Sequence, residues 1–283
     1  MSPDQNLISQ NVKTALAEDV GNGDVSAMLL PESLIAEAEI ISREAMLVCG
    51  QPWVEAVFRE VQPDVVIEWL VREGEWLSEP ALLCRINGPA RAILTAERTA
   101  LNFLQTMSAT ATRTYRFVEQ LQGTKTRLLD TRKTLPGLRY AQKYAVKCAG
   151  GTNHRMGLYD AFLIKENHIK VCGSISVAIK QARLLNPELF VEVEVETLAE
   201  LQEALLAGPD RILLDNFSND MLKEAVVINQ AYGCLLEASG GIDLDTIRAV
   251  AETGVDFIST GAITKSIRAI DLSLLVKVVK QIT

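Results

Sequence analysis

Apolar residues along this chain change their rhythm three times. Leu7, Ile8, Val12, Ala15 and Leu16 recur at helical spacing, which predicts an amphipathic helix over residues 7–18. A loop punctuated by Gly21 and Gly23 ends it. From residue 36 to 89 the apolar runs AEAEIISREAMLVCG, VVIEWLVREGEWL and ALLCRINGPA are short, with Gly and Pro at their turns. They predict an antiparallel sheet, with a turn at Glu73-Gly74-Glu75 and a helix near residues 53–61. Residues 90–121 return to a helical pattern, read as two helices. The first domain is expected to end within it, so that it covers residues 1–110.

From Arg127 the chain repeats strand then helix. Strand-like cores lie at RLLDT, AFLIKE, FVEVEVE, RILLDN, CLLEAS and DFISTG. Between and after them come the helical stretches ISVAIKQARLL, TLAELQEALLAG, NDMLKEAVVINQAYG and DLDTIRAVAETG. This alternation predicts a parallel sheet covered by helices, an α/β domain over residues 111–269. Asp130, Lys165, Glu194, Asp215 and Ser239 stand at strand C-terminal ends, where a closed βα barrel keeps its active site. An open doubly wound sheet puts ligands at the same ends. No GxGxxG follows a strand, which argues against a dinucleotide site.

Charge then singles out one stretch. The chain carries a formal charge of −8, yet residues 125–170 are basic. There Lys125, Arg127, Arg132, Lys133, Arg139, Lys143, Lys147, Arg155, Lys165 and Lys170 face only Asp130, Asp160 and Glu166. Both histidines, His154 and His168, lie in the same stretch. Cations gathered in an acidic chain point to a local anion site rather than a nucleic-acid surface. No run approaches the roughly 20 apolar residues of a membrane span, and the N-terminus lacks the features of a secretory signal. Five scattered cysteines without a CxxC pair indicate neither a disulfide framework nor a structural zinc site. The expected setting is reduced and cytoplasmic.

Arg132, Lys133 and Arg155 suit a di-anion or a phosphorylated substrate, because guanidinium forks carboxylates and lysine supplies a movable charge. The bland reading is a solvated basic face. Lys165 weakens it, since it interrupts the apolar run AFLI and should point inward at a strand end. Glu192, Glu194 and Glu196 alternate with valines and share one strand face. Glu194 and Asp215 end successive strands and could share a hard cation such as Mg2+, or pair with nearby cations. Ser239-Gly240-Gly241 and Thr260-Gly261-Ala262 follow the last two strands, where small residues let backbone N–H groups approach a phosphate. His154 and His168 could donate to an anion, or be structural. Arg98, on the helical pattern before the barrel, reads as a surface residue.

The pieces AEDVGNGDVSA, ERTALNFLQTMSATAT, DTRKTLPGLRYAQKYAVKCAGGTNHRMGLYDAFLIKENH, VEVEVE, LLDNF, SGGI and STGAIT together resemble the quinolinate phosphoribosyltransferases, nearly end to end and in order. Glu166 and Thr260 depart from the residues usual in that family, and neither removes a charge. The resemblance implies an N-terminal α/β sandwich joined to an irregular seven-stranded α/β barrel of the type II phosphoribosyltransferase kind. A C-terminal helix over 270–283 is expected to pack on the first domain. It implies a reaction of quinolinate with 5-phosphoribosyl-1-pyrophosphate that yields nicotinate mononucleotide, pyrophosphate and CO2, and requires Mg2+. By motif position Arg98, supplied by the partner in a homodimer, joins Thr131, Arg132, Lys133, His154, Arg155 and Lys165 in holding substrate. Lys133, Lys165, Glu194 and Asp215 lie near the reacting centre, with Glu194 and Asp215 on the metal side. Ser239, Gly240, Gly241, Thr260, Gly261 and Ala262 cradle the ribose 5-phosphate. Three rivals remain at this level: a related transferase with another acceptor, a silent anion-binding barrel, and an aldolase using Lys165 as a Schiff base.

Overall fold

Alternation and turn chemistry account for most of the first unit. In a computed structural model that describes residues 3–281, and side chains as far as residue 277, helix α1 (Gln5–Asp19) starts at Asp4. The Asp4 carboxylate accepts the N–H groups of Asn6 and Leu7. Strand β1 (Leu34–Ser42) then buries alternate residues, Ala36, Ala38, Ile40 and Ser42. The short β2 (Met46–Leu47) leads to α2 (Gln51–Val61), which buries Trp53, Val54, Val57 and Phe58. Strands β3 (Val66–Trp69), β4 (Trp76–Leu77) and β5 (Leu82–Pro89) follow, turning at Gly74, whose φ of 82° favours glycine.

Next comes α3 (Ala90–Gln120), one helix of 31 residues where the sequence predicts two. Its run of Ser and Thr looks like a break. Those hydroxyls are instead used inside the fold. Thr112 Oγ1 accepts the Leu47 N–H at 2.8 Å, and Ser108 Oγ both accepts from Cys49 N and donates to Cys49 O at 3.0 Å.

From here the strands are parallel. In order the chain forms β6 (Arg127–Leu129), α4 (Arg139–Cys148), β7 (Phe162–Ile164), α5 (Glu166–Cys172), α6 (Ile175–Leu185), β8 (Val191–Val195) and α7 (Leu198–Ala207). Then come β9 (Arg211–Asp215), α8 (Asn219–Asn229), β10 (Leu235–Ser239), α9 (Ile247–Ala251), β11 (Phe257–Ser259), α10 (Ala262–Lys265) and β12 (Leu272–Gln281). The parallel sheet has the order β6-β11-β10-β9-β8-β7. All six strands fall where the sequence predicts them. The seventh position is held by Thr152 alone, an isolated parallel bridge to Leu129. Its N–H donates to Leu128 O and its carbonyl accepts from Asp130 N. GGTNH contains no apolar run, so nothing in its composition announces a strand.

The expected C-terminal helix is a strand over its described part. β12 pairs antiparallel with β1, from Ser42 opposite Leu272 to Leu34 opposite Gln281, and completes the sheet β12-β1-β5-β3. Val276 is β-branched and favours this outcome, and the open edge of β1 supplies the hydrogen bonds. Residues 282–283 of that expectation lie outside the described residues.

The chain forms two compact units. One holds the residues up to Arg113, Leu135–Ala149 and those from Ile267 onward; the other holds Thr114–Thr134 and Gly150–Ser266. Membership is therefore interleaved, where the sequence predicts a continuous stretch over 111–269. Helix α4 belongs to the first unit because its aromatic face packs there: Tyr140 and Tyr144 lie 6.0 and 5.2 Å from the Trp53 ring. Arg139, Lys143 and Lys147 of the basic stretch go with it. Sequence proximity to Arg132 and Arg155 does not put them in the same unit.

Candidate active site

The second unit gathers its chemistry at the C-terminal edge of the parallel sheet. After β6, the Asp130 carboxylate is fully buried and accepts the His154 N–H at 2.9 Å and Asn153 Nδ2 at 2.6 Å. It thus ties the loop after Gly150-Gly151 to the end of β6. Thr131 Oγ1 accepts the Lys133 N–H at 3.0 Å, and Thr264 Oγ1 donates to Lys133 O at 2.7 Å. The Arg132-Lys133 segment is therefore fastened on both sides.

His154 Nδ1 accepts the Arg155 N–H at 2.8 Å. Its other ring nitrogen, Nε2, lies 2.9 Å from Glu192 Oε2. A neutral ring protonated at Nε2 satisfies both contacts, and an imidazolium does not. Arg155 Nη1 donates to Ala161 O at 3.4 Å. Burial makes Arg155 easier to deprotonate than usual, and the neighbouring Arg132 adds to this, against Glu192 and Asp160. Two guanidinium groups near enough to repel one another make an arrangement that an added di-anion would relieve.

Lys165 follows β7 and its N–H donates to His168 Nδ1 at 3.0 Å, so His168 caps α5. The Lys165 ammonium is paired with Glu194 of β8. Strand register makes this meeting inevitable, since Ile164 pairs with Val193 and the next residues are Lys165 and Glu194. Asp215, at the end of β9, is a weaker acid than usual. Burial is the main cause and the Glu194 charge the second, opposed by Lys165 and Lys133. Lys133, Lys165, Glu194 and Asp215 thus form one electrostatic group. Glu196, by contrast, is exposed and lies beyond β8.

Asp215 is level with Ser239 in the sheet. Between their loops, Asn216 adopts φ 56° and donates its N–H to Ser239 O at 2.9 Å, while its Nδ2 donates to Asp215 Oδ2 at 2.8 Å. A Cβ on Gly240, which has φ 102°, would stand 2.9 Å from Asn216 N and collide with its side chain. Gly261 is small for a different reason: a Cβ there would lie 2.9 Å from Lys133 Cδ and 3.5 Å from Thr131 Oγ1. Thr260 Oγ1 donates to Ile242 O and accepts the Ala262 N–H at 3.1 Å. Thr260 therefore shapes this turn with its hydroxyl.

Arg98 lies on α3 in the first unit and is exposed. The other positions singled out from the sequence, Thr131 through Ala262, fall in the second unit. Two charged residues were missed, Arg211 and Glu237. Arg211 Nε lies 3.0 Å from Glu192 Oε1 and 3.2 Å from Glu237 Oε2, beside His154. The available signal was a charge in each of the apolar strands RILLD, which neighbours VEVEV in the sheet, and LLEAS, the next strand along.

Comparison with known proteins gives the family. The family description "Quinolinate phosphoribosyl transferase, N-terminal domain" matches residues 24–108, and its C-terminal counterpart matches residues 110–275. A probable nicotinate-nucleotide pyrophosphorylase (carboxylating) of Bacillus subtilis is 38% identical, over 91% of this chain and 89% of that protein. The chloroplastic nicotinate-nucleotide pyrophosphorylase of Arabidopsis thaliana is 39% identical over 93% of this chain and 81% of its own length. Among solved structures, the nicotinate-nucleotide pyrophosphorylase of Francisella tularensis is 47% identical, with a TM-score of 0.94 over 98% of both chains. NadC from Streptococcus pyogenes is 36% identical and has a TM-score of 0.94 over the whole of both chains. The chain belongs to the quinolinate phosphoribosyltransferase family.

Proposed function

We propose that this chain transfers the phosphoribosyl group of 5-phosphoribosyl-1-pyrophosphate to quinolinate, releasing pyrophosphate and CO2 and leaving nicotinate mononucleotide, a step of NAD synthesis. The observation that carries the reading is the pairing of two unlike charge groups at one sheet edge. Arg132 and Arg155 form a cationic pair with Glu192 and Asp160 at its margin, whereas Lys133, Lys165, Glu194 and Asp215 form a mixed group.

The cationic group suits the two carboxylates of quinolinate, with Lys165 beside it. Binding both substrates sets the pyridine nitrogen against C1 of the ribose and removes much of the entropic barrier. The nitrogen then bonds to C1 as the C1–O bond to pyrophosphate breaks. Positive charge grows on the sugar, and Glu194 or Asp215 stabilises it. The alkylated ring next accepts the electron pair left as CO2 departs from the adjacent carbon, and that carbon takes up a proton. Backbone groups at Ser239, Gly240, Gly241 and Gly261 hold the ribose 5-phosphate, with Thr260 and Ala262 shaping the turn.

Glu194 and Asp215 would hold Mg2+. Two neighbouring carboxylates, one of them made less acidic by burial and by the other's charge, fit a divalent cation. When bound, the ion would neutralise charge on the pyrophosphate leaving group. Arg98 of a second copy would complete the pocket in a homodimer. The setting is cytoplasmic on this reading, and no helix among the described residues is long and apolar enough to cross a membrane. Lys165 is committed to Glu194, which favours charge neutralisation over a Schiff base.

The test is stoichiometric release of pyrophosphate and CO2 from purified protein with quinolinate, 5-phosphoribosyl-1-pyrophosphate and Mg2+. Nicotinate serves as the parallel acceptor, and it should be rejected because it leaves half-buried cations unpaired. Equal turnover of nicotinate, or none of quinolinate, would sink the assignment.

A further inference from the structure

We propose that Arg211 and Glu237 are positioning residues of the quinolinate pocket, with Glu237 carried as the neutral acid and Arg211 bracing Glu192, so that His154 is held as a neutral ring protonated at Nε2. This deepens the quinolinate reading and rests on it for the substrate concerned.

Strand register brings the groups together. Glu192 of β8 pairs with Arg211 of β9, and Arg211 pairs with Leu235 of β10, two residues before Glu237 on the same face. Glu192, Arg211 and Glu237 are 1%, 8% and 0% exposed. The Arg211 guanidinium also lies 5.2 Å from the Phe190 ring and 5.1 Å from that of Phe257. Oxygens of both glutamates lie within 4.8 Å of a His154 ring nitrogen and of each other, which is also ligand spacing for a metal ion. A guanidinium already stands among them at hydrogen-bond distance, so the cation of this cluster is Arg211.

Counting charge settles the protonation. The His154 Nδ1 lone pair is committed to the Arg155 N–H, so the ring cannot be an imidazolium without breaking that bond. With His154 neutral, two ionised glutamates against one guanidinium would leave a buried net negative charge. The Glu237 carboxyl is fully buried, and the Arg211 Nε–H that stands 3.2 Å from its Oε2 is already donated to Glu192. An ionised carboxylate in that state costs several kcal/mol. The neutral acid removes the excess charge. Burial and the Glu192 charge do push the Glu237 acid well up, and Arg211 opposes them. Glu192, by contrast, accepts from Arg211 Nε at 3.0 Å and from Arg211 Nη2 at 3.2 Å.

His154 therefore brings no positive charge to a substrate carboxylate. Its role is mechanical: Glu192 fixes the ring, the ring fixes the Arg155 N–H, and Arg155 is held toward Arg132. This replaces direct carboxylate binding by His154 with positioning through its neighbour.

The experiment uses the intact protein labelled with 15N-histidine. With only two histidines in the chain, the ring signals separate readily, and His154→Asn assigns them. The expected result at about pH 7 is a neutral Nε2–H tautomer for His154. Glu237→Ala and Arg211→Met should raise KM for quinolinate about tenfold or more, with KM for 5-phosphoribosyl-1-pyrophosphate within about twofold. Glu237→Gln, a neutral isostere, should recover most of what Glu237→Ala loses. An imidazolium or an Nδ1–H tautomer at His154 overturns the proposal. So does a Glu237→Gln enzyme as impaired as Glu237→Ala, a readout that remains if Arg211→Met does not fold. The tautomer is read without substrate, so a neutral His154 in a protein that fails to turn over quinolinate would overturn the substrate reading and leave the charge assignment standing.

Discussion

Gly240→Ala tests the interlock of the two loops at the phosphate end of the site. The residue adopts φ 102°, and a left-handed conformation costs an L-residue about 1–2 kcal/mol. The added Cβ would also press on Asn216, at 2.9 Å from its backbone nitrogen. The Asn216 side chain can rotate away only by giving up its 2.8 Å hydrogen bond to Asp215, worth about 1 kcal/mol. Its backbone cannot rotate away, because the N–H is tied to Ser239 O. Displacing that peptide adds about 1–3 kcal/mol, the scale of overpacking. The whole effect should therefore be about 3 kcal/mol or more, with a raised KM for 5-phosphoribosyl-1-pyrophosphate. Gly241→Ala is the internal control. Its φ is also left-handed, at 63°, but nothing lies within 4 Å of the added Cβ, so only the backbone cost of about 1 kcal/mol applies. Urea unfolding of the two variants separates the contributions. Equal destabilisation of Gly240→Ala and Gly241→Ala would refute the interlock.

Arg132→Ala should cost about 3 kcal/mol or more in kcat/KM for quinolinate, the scale of losing a preorganised charged donor; a change within about threefold would remove Arg132 from the site. Glu73→Ala strips the acceptor from the N–H groups of Gly50 and Gln51 at the start of α2 and should destabilise by about 2–4 kcal/mol, read as a lowered urea midpoint. Burial raises the Asp210 acid, but the Arg183 side chain and the Val191 N–H outweigh it and hold the carboxyl below its usual value of 3.8. The folded form therefore releases the proton more readily. Its stabilisation is present above pH 3.8 and lost as pH falls from there through the folded value. Asp210→Asn should flatten that limb of the stability curve, and an unchanged acid limb would contradict the assignment.

Most of the barrel was legible because its evidence is local. A strand followed by a helix repeats its own pattern, and a polar residue closing an apolar run marks the strand end. Lys165, Glu194, Asp215 and Ser239 were found this way. Thr152 escaped because a single bridging residue has no periodicity. Arg211 and Glu237 escaped because a charge inside an apolar strand looks like an exception until its partners on adjacent strands are known. His168, open to an anion-donor or a structural reading from the sequence, caps α5, a role that depends on the backbone conformation at Lys165.

The sequence by itself therefore determined the α/β class, the parallel order of strand and helix, and the level at which the polar groups stand. Those follow from side-chain period and turn residues, which act over a few positions. Only the tertiary structure decided that residues 272–281 form a strand, that α4 belongs with the first unit, and that a buried arginine joins two glutamates and a histidine. Each depends on groups far apart in the chain: the open edge of β1, the aromatic face around Trp53, and a buried interior in which opposite charges must meet or be neutralised.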